Sequence, residues 1–598
     1  MKLYKMGPGA LTIKNTNTFT GGTYIYGGKV VLGADNALGS GSISISSGTL
    51  NLDGKLLSNN ITASGSSVIQ NGGSFRGNVT LNGTLNSGSW LSLYRDKTAT
   101  LMSGYMYGKF TGVGKVVKSG SGTVVLNASN TYTGGTDIKA GTLKLGADKA
   151  LGTGNVTMSG GTLDMNGKLL TNYISAKGSV KVLNGANYGG NFVLDGTLAD
   201  GSWLRVNSGK TATLKSGTVS GKFSGAGKVV KSSSGTVTFK GVNNCTGGTD
   251  ITAGTLVLGT NNALGTGKVT MSGGTLNMNS KSLSNYITAK GSTNILNGGN
   301  YNGNYELSGN LGSNSWLRIN SGKKATLRSG TMSGSLTGAG ETIIAGKVNL
   351  NGGRIKTNKL TVNGSGRQLT ANSSGLSMNK SASVITLASQ GRLNSAGAIT
   401  AKDIELSGSS VLNAKNSTAR SIDLGGTLKA TSSTVSLYGN LTAANVTLNN
   451  AVLTDEGSST SAVKVTGTAT VSNNAKFNIK GYLTGKNLTL SKGKLKQYGH
   501  NNGVALSGTL SMNSGSSLTT SGTLSAGTMT LSGGTINLTS SAFKSVTVTG
   551  TLTLNKAIDL NLGCSLTKGT SYKLITFKKT NLTKTSNLAT VSYTHLTL

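Results

Sequence analysis

The chain has 598 residues, of which 92 are glycine, 35% are hydrophobic and one is proline, and 56 lysines and arginines outnumber 17 acidic residues to give a formal net charge of +39. It is longer than one compact core requires, no stretch approaches the ~18 apolar residues of a membrane helix, and its two cysteines stand too far apart to suggest a disulfide framework or metal cluster. The positive charge attracts polyanions, although a lysine-rich surface that only keeps the protein soluble explains it equally well.

The first part of the chain is a repeat with a period of 113 residues. Its Gly-Gly pair begins at Gly21, Gly134 and Gly247, so the offset is 134 − 21 = 113 and 247 − 134 = 113. The only three tryptophans keep the same spacing, at positions 90, 203 and 316. Residues 2–5 align at this offset with residues 115–118, so we interpret them as repeat and not as a signal peptide. A fixed long period is typical of stacked arrays, in which each unit buries its apolar face against its neighbours.

A shorter period of roughly 19 residues lies inside the long one. Glycine followed by Thr or Ser and an aliphatic residue recurs throughout each copy, for example at Gly122, Gly141 and Gly161. Between these glycines, runs such as Thr142–Leu145 are apolar at every second residue, as in a strand with one buried face. Glycine is expected to supply positive φ at the corners. The pattern predicts an all-β fold, a parallel β-solenoid with six turns per copy.

Beyond residue 340 the long period is lost, while the short one continues less regularly, for example at Gly426, Gly508 and Gly550. We predict three 113-residue solenoid units over residues 1–340 and a diverged continuation of the solenoid over residues 341–590, together forming a single elongated rod. Residues 591–598 contain no corner glycine, and we interpret them as a read-through tail outside the array.

The segment from Gly122 to Gly146 reads GTVVLNASNTYTGGTDIKAGTLKLG. It resembles the passenger-associated β-strand repeat of bacterial autotransporters, the proteins of type V secretion. The resemblance implies a right-handed parallel β-helix that a C-terminal β-barrel displays outside the cell, on the outer-membrane surface. Residues 563–575 resemble the last coils before such a barrel. We therefore expect this sequence to be a fragment, with the signal peptide and the barrel encoded outside it. Cys245 replaces the aromatic residue of the other copies and is expected to be a small buried hydrophobe.

Side chains for catalysis are scarce in this sequence. Histidine occurs only at His500 and His595, which leaves a Ser-His-Asp arrangement with one candidate base and no nucleophile elbow. A glycosidase needs two carboxylates across the scissile bond. The close acidic pairs are Asp403 with Glu405 and Asp455 with Glu456. We predict no catalytic residue, no metal site and no cofactor.

The strand around each tryptophan carries the candidate binding residues. In the second copy, alternation places Leu204 and Val206 on one face and Trp203 with Arg205 on the other. If the aliphatic side chains are inside, the indole lies outside, where it could stack on a sugar ring beside a guanidinium. The alternative is that the ring packs against the next turn as a corner plug. The candidate ligand-binding residues are Trp90, Trp203, Arg205, Trp316 and Arg318.

These features predict a non-enzymatic, surface-displayed passenger that acts as a stalk or adhesin. The expected partners are host or bacterial surface polysaccharide, mucin-like glycans or other polyanions, and the outer-membrane β-barrel of the full-length protein, but no specific nucleic acid. The alternative is a fragment of a carbohydrate-active β-helix enzyme whose active part lies elsewhere. A carboxylate cluster on consecutive turns of one face would favour the enzyme, and a uniform polar face would favour the stalk.

Overall fold

The computed structural model describes residues 1–414, 421–567 and 570–582, so the predicted tail at residues 591–598, with His595 in it, lies outside the described residues. The chain divides into two compact units, Met1–Thr288 and Ala289–Leu598. In each unit short strands pair in parallel, turn upon turn. This confirms the predicted all-β parallel solenoid. Over the described ranges, no helix is long and apolar enough to cross a membrane.

Most strands of the first unit pair with strands one turn before and one turn after them. Thr142–Leu145, for example, lies between Thr123–Leu126 and Thr162–Asp164. The strands that begin in this unit are Leu3–Lys5, Ala10–Ile13, Thr23–Ile25, Lys29–Leu32, Ile43–Asn51, Ile61–Gln70, Val79–Leu85, Trp90–Leu93, Thr98–Met106, Lys109–Gly112, Lys115–Lys118, Thr123–Leu126, Thr136–Ile138, Thr142–Leu145, Val156–Met158, Thr162–Asp164, Ile174–Leu183, Phe192–Leu198, Trp203–Arg205, Thr211–Val219, Lys222–Gly225, Lys228–Lys231, Thr236–Phe239, Asn244–Cys245, Thr249–Ile251, Thr255–Leu258, Val269–Met271, Thr275–Asn277 and Ile287–Leu296.

The strands of the second unit stack in the same way. It begins with Tyr305–Leu311, Trp316–Arg318, Lys324–Met332 and Ser335–Leu350, and from there the strands form three parallel faces. The first face holds Arg354–Asn363, Val384–Ala388, Asp403–Leu406, Thr427–Thr431, Asn445–Asn449, Ala462–Ser472, Tyr482–Ser491, Thr509–Asn513, Thr528–Ser532, Thr551–Lys556 and Lys579–Leu582. The second holds Gln368–Ala371, Arg392–Ser395, Val411–Ala414, Thr434–Leu437, Val452–Asp455, Lys476–Ile479, Lys494–Gln497, Ser517–Thr520, Thr535–Leu538 and Asp559–Leu562. The third holds Leu376–Ser377, Ile399–Ala401, Ile422–Leu424, Leu441–Ala443, Val504–Leu506, Leu524–Ala526, Val546–Val548 and Ile575–Thr576, joined by the first halves of Ala462–Ser472 and Tyr482–Ser491.

In-register stacking of aliphatic side chains builds the core. Val124 stands opposite Leu143 of the next turn, and Leu143 stands opposite Leu163 of the turn after that. All three side chains are fully buried, and burial of each contributes about 1.5–3 kcal/mol. Lys144, which alternates with them, lies partly exposed on the outside. The alternation in the sequence is therefore the alternation between the inside and the outside of the solenoid.

The corner glycines serve two purposes, and the sequence interpretation included only one of them. Gly141 has φ +65°, in the left-handed region that glycine adopts without strain. Gly122 is not in that region, so the expectation of positive φ is wrong there. A Cβ at Gly122 would lie 2.8 Å from the Cβ of Ser103 in the preceding turn. Glycine is needed at this corner because the turns approach closely.

The motif at Asn130 supplies one corner with hydrogen bonds. The buried Asn130 donates from Nδ2 to the carbonyl oxygen of Ala150 (2.6 Å) and accepts at Oδ1 from the backbone N–H of Phe110 (2.8 Å). One side chain thus bridges three successive turns. Tyr132, also buried, places its hydroxyl 2.6 Å from Oγ1 of Thr136. These bonds pair polar groups that would otherwise be buried without partners, at a cost of about 1–3 kcal/mol each.

Cys245 takes the position of Tyr132 in the third copy. Its side chain is buried, and burial raises the pKa of its thiol to about 12. The thiol therefore stays protonated and unreactive. This confirms the interpretation of Cys245 as a small buried hydrophobe.

A buried lysine closes another corner in each copy. Lys118 and Lys231 are fully buried, and Lys5 is nearly so. The Lys231 ammonium donates to the carbonyl oxygens of Ser233 (2.6 Å) and Ala253 (3.1 Å), which lie on successive turns. Burial lowers the pKa of Lys118 and Lys231. These lysines belong to the interior of the solenoid, whereas the sequence interpretation counted every lysine as surface charge.

Glycine makes room for each of these ammonium groups. Lys118 donates to the carbonyl oxygens of Gly120 and Ala140. A Cβ at Gly141 would lie 2.6 Å from Nζ of Lys118, too close for any other residue at that corner. The buried lysine therefore requires the glycine that faces it, and both residues recur with the period of 113 residues.

The second unit closes its corners with other polar side chains. The buried Gln497 donates from Nε2 to the carbonyl oxygen of Gly481 (2.6 Å), and its Oε1 accepts from the Thr520 hydroxyl (2.6 Å). The buried Asp455 accepts at Oδ1 from the N–H of Gly457 (2.9 Å). The requirement for an internal partner persists after the long repeat is lost.

Replacing Lys118 by methionine preserves the side-chain length and removes the ammonium. We expect the free energy of unfolding to fall by about 1–3 kcal/mol, because two buried carbonyl oxygens lose their donor. Denaturant unfolding followed by circular dichroism measures the change. The control is Lys115→Met, which removes an exposed ammonium 3.0 Å from Asp137 and should cost about 0–1 kcal/mol. Equal losses in the two variants would contradict the structural role of Lys118.

Candidate functional site

The side chains considered for catalysis do not form a common site in the structure. Asp403 is held by the backbone, because its Oδ1 accepts from the N–H of Thr427 (2.7 Å). Asp455 is buried at its corner while Glu456 is exposed, and burial raises the pKa of Asp455. In the described part of the chain, no group of three or more His, Cys, Asp or Glu side chains could hold a metal ion.

His500 lies in a loop of the second unit. Its ring centroid is 5.1 Å from that of Tyr482, and its Nδ1 accepts from the backbone N–H of Asn502 (2.9 Å). The ring therefore stabilises a turn of the loop through this hydrogen bond. This arrangement favours a loop role over that of a catalytic base.

The tryptophan strands present their indoles to solvent. Leu204 and Val206 are fully buried, and Trp203 and Arg205 are exposed, as the alternation predicts. Trp90, Trp203 and Trp316 expose 43%, 41% and 43% of their surface. Each strand also contributes a buried leucine to the core at equivalent positions, 91, 204 and 317. The core side of the strand thus fixes the direction of the indole on the other side.

A hydrogen bond from the next turn holds the edge of each indole. In each case Nε1 of the indole donates to a hydroxyl oxygen at 3.0 Å. The pairs are Trp90 with Thr111, Trp203 with Ser224 and Trp316 with Thr337. These acceptors lie on the neighbouring parallel strands. The ring is tied by one edge and remains partly open to solvent.

The indole also contacts the preceding turn. A Cβ at Gly73 would lie 3.2 Å from Cη2 of Trp90, and one at Gly299 would lie 3.1 Å from Cη2 of Trp316. Part of the ring therefore packs on a glycine at Trp90 and Trp316, while about two-fifths of the surface of each tryptophan is exposed. The geometry has a feature of each interpretation of the sequence. The indole contacts a neighbouring turn, as a corner plug would, and part of its surface is exposed, as stacking on a sugar requires.

Cationic groups accompany all three indoles: Lys109 stands opposite Trp90 on the next strand, and an arginine follows each of the other two tryptophans. Arg205 and Arg318 are exposed two residues after Trp203 and Trp316, and Lys222 stands opposite Trp203 on the next strand. Neither arginine forms an ion pair with a residue that the structure describes. Both guanidinium groups are therefore available to an anionic ligand.

The first copy has a further exposed aromatic side chain that sequence reasoning missed. Tyr94 is 51% exposed, and the guanidinium carbon of Arg76 lies 5.0 Å from its ring centroid. Asparagine occupies the position of Tyr94 in the other copies, at Asn207 and Asn320. A residue-by-residue comparison at the offset of 113 would have found this difference.

Trp203→Ala tests how much of the indole is structural. We expect the free energy of unfolding to fall by about 1 kcal/mol, because the variant loses one hydrogen bond and a partly buried ring. The control is Leu204→Ala, which opens a cavity in the core and should cost about 2–5 kcal/mol. Denaturant unfolding compares the two. A loss at Trp203 as large as the loss at Leu204 would show that the ring acts mainly as a plug.

Comparison with known proteins connects the three copies with one repeat family. Residues 3–32, 116–145 and 229–258 match the passenger-associated-transport-repeat. These segments contain the buried lysine and asparagine corners, and the third matches although Cys245 replaces the aromatic residue. The match therefore covers the part of each copy whose lysine and asparagine side chains form hydrogen bonds at the corners.

A longer stretch resembles a curated protein. Over 153 residues, 25% of the chain, the sequence is 35% identical to the adhesin BmaC autotransporter of Brucella suis biovar 1 (strain 1330). The match covers 4% of that protein's length. No solved structure matches the chain. The repeat matches and this relative confirm the resemblance seen in the sequence: the chain contains passenger-associated repeats and is similar to an autotransporter adhesin.

Proposed function

We propose that this passenger domain is a non-enzymatic adhesin, displayed on the bacterial outer-membrane surface by an outer-membrane β-barrel, that binds anionic glycans. The repeated indole is the observation that carries the proposal. Three tryptophans at equivalent positions keep 41–43% of their surface exposed while a hydrogen bond holds each ring edge. A ring held in this way stacks on a sugar without first losing side-chain freedom.

Charge supports the anionic class of glycan. Exposed guanidinium groups at Arg205 and Arg318 stand beside two of the indoles, and the chain carries a formal net charge of +39. A sulfate or carboxylate on the sugar would pair with the guanidinium while the ring stacks on the indole. Acidic surface polysaccharides and mucin-like glycans have this combination of groups.

The alternative function, a carbohydrate-active enzyme, has less support. A glycosidase needs two carboxylates that face one bond. Asp403 is tied to the backbone of Thr427, and Asp455 is buried away from its neighbour Glu456. The name of the relative from Brucella suis also denotes an adhesin, which agrees with binding without chemistry.

Binding to heparin and to duplex DNA of equal charge separates glycan stacking from simple charge attraction. Because the change leaves the net charge unaltered, replacing all three tryptophans by alanine should weaken heparin binding at least tenfold, at about 0.5–1.5 kcal/mol per stacked ring, and leave DNA binding unchanged. DNA binding should in turn fall steeply with salt. Surface plasmon resonance measures both affinities.

The control variant removes two exposed aromatic residues outside the tryptophan strands, Tyr173 and Tyr286, which have similar exposure. It should bind heparin as the wild type does. Equal loss of heparin and DNA binding in the tryptophan variant, or no loss of either, would overturn the proposal.

A further inference from the structure

Two exposed lysines of the second unit stand directly opposite each other on successive turns. Lys476 pairs in register with Lys494, on strands about 4.8 Å apart, and like charges in this arrangement repel each other. Lys496, also exposed, follows Lys494 on the same face. Its Nζ lies 5.8 Å from the ring centroid of Tyr498, and the uncharged ring does not neutralise it. These three lysines form what we call the lysine cluster.

Elsewhere in this unit a carboxylate stands between lysines on successive turns. Lys324, Glu341 and Lys359 are in register on three successive turns. The Glu341 carboxylate lies 3.7 Å from Nζ of Lys324 and 3.4 Å from Nζ of Lys359. In contrast, no salt bridge joins Lys476 or Lys494 to a carboxylate that the structure describes. The lysine cluster therefore lacks the anion that this fold supplies to other stacked lysines.

The next turn places hydroxyl groups beside the lysine cluster. Ser517 stands opposite Lys494, and Thr519 stands opposite Lys496. Each hydroxyl oxygen accepts from Nδ2 of Asn537, at 3.4 Å and 3.1 Å respectively. Because a hydroxyl group both accepts and donates, each keeps its own proton for a further acceptor. The lysine cluster therefore has neutral donors along one edge.

A phosphomonoester matches the lysine cluster better than other anions do. At pH 7 it carries about −1.5 to −2 charges, and its three acceptor oxygens allow each ammonium group to donate to one of them. The flexible lysine stems and their rotatable donors let the three heads converge on one group. A sulfate ester or a carboxylate carries a single charge, so it neutralises the lysine cluster less.

The outward side chains of these strands favour a sugar over a lipid as the carrier of the phosphate. In the strands Lys476–Ile479, Lys494–Gln497 and Ser517–Thr520, every apolar side chain is buried. None of them could enter a lipid surface, as the apolar side of a membrane-binding face does. The Ser517 and Thr519 hydroxyls suit the oxygen atoms of a sugar.

We infer that the lysine cluster binds the phosphate group of a phosphorylated sugar, such as one carried by a surface glycan. The three ammonium groups donate to the phosphate oxygens, and the hydroxyls of the next turn donate to the sugar. This inference goes beyond the proposed function, because the site uses no tryptophan and takes phosphate as its anion. The two proposals therefore fail separately.

Titration of the whole chain with glucose 6-phosphate, followed by phosphorus NMR, tests the inference. Lys494→Gln, which removes the central ammonium group, should weaken binding by about tenfold, because a charge-assisted hydrogen bond is lost. Glucose 6-sulfate has the same shape and a lower charge. As a competitor, it should bind roughly tenfold more weakly than the phosphate.

The control variant is Lys464→Gln, which removes an exposed lysine whose in-register neighbours are Thr442 and Thr484. It should bind glucose 6-phosphate as the wild type does, and so should the chain with all three tryptophans replaced by alanine. Wild-type affinity in Lys494→Gln, an equal loss in Lys464→Gln, or equal affinity for phosphate and sulfate would overturn the inference. None of these results alters the heparin test, which depends on the tryptophans.

Co-sedimentation with vesicles that contain phosphatidic acid tests the carrier of the phosphate. Lys494→Gln should sediment with these vesicles to the same extent as the wild type, because the general positive charge of the chain governs this attraction. Sedimentation that Lys494→Gln abolishes and Lys464→Gln preserves would assign the phosphate to a lipid and overturn its assignment to a sugar.

Discussion

The hydrogen-bond ladder between successive turns is the interaction on which the rest of this structure depends. Each strand bonds only to strands one turn away, so the ladder breaks wherever the chain turns a corner. Backbone N–H and C=O groups that are buried at a corner have no water to bond to, so a side chain must supply their hydrogen bonds. Asn130 and Lys118 do so in the first unit and Gln497 does so in the second. The buried polar side chains are therefore as necessary to the solenoid as its aliphatic columns.

The stacked turns give each strand an inner face that packs in the core and an outer face that meets solvent. Leu91, Leu204 and Leu317 are identical and fully buried in the three copies. The residue that follows each of them, which faces outward, is serine in the first copy and arginine in the other two. Because the core does not constrain the outer face, the copies can share one fold and still present different side chains to solvent. The same register that stacks the leucines places the indoles at equivalent positions.

Much of the fold could be predicted from the sequence, because strand alternation and a strict period express the same stacking that forms the core. The buried lysines could not be predicted in this way. Lys118 occupies an inward position, but lysine is almost always exposed, and only its distance to the carbonyl oxygens of a neighbouring turn reveals its role. The role of Gly122 could not be predicted for a similar reason, because the sequence of one turn does not show how closely the next turn approaches it.

For the candidate site, alternation correctly placed Trp203 and Arg205 outside. It could not show the hydrogen bond from Trp203 to Ser224, because the two residues are neighbours only through the pairing of turns. It also overlooked Tyr94 and Arg76, whose contact joins two turns. Repetition drew attention to what the copies share, whereas this contact is a feature of the first copy that the other copies lack.

The intrinsic tryptophan fluorescence of the whole chain tests the central claim most directly, because the only three tryptophans all lie on the proposed binding strands. Titration with heparin should shift or quench this emission in parallel with binding, since a stacked sugar replaces water at each exposed ring. Saturable heparin binding that leaves the emission unchanged would place the glycan elsewhere on the surface and contradict the account.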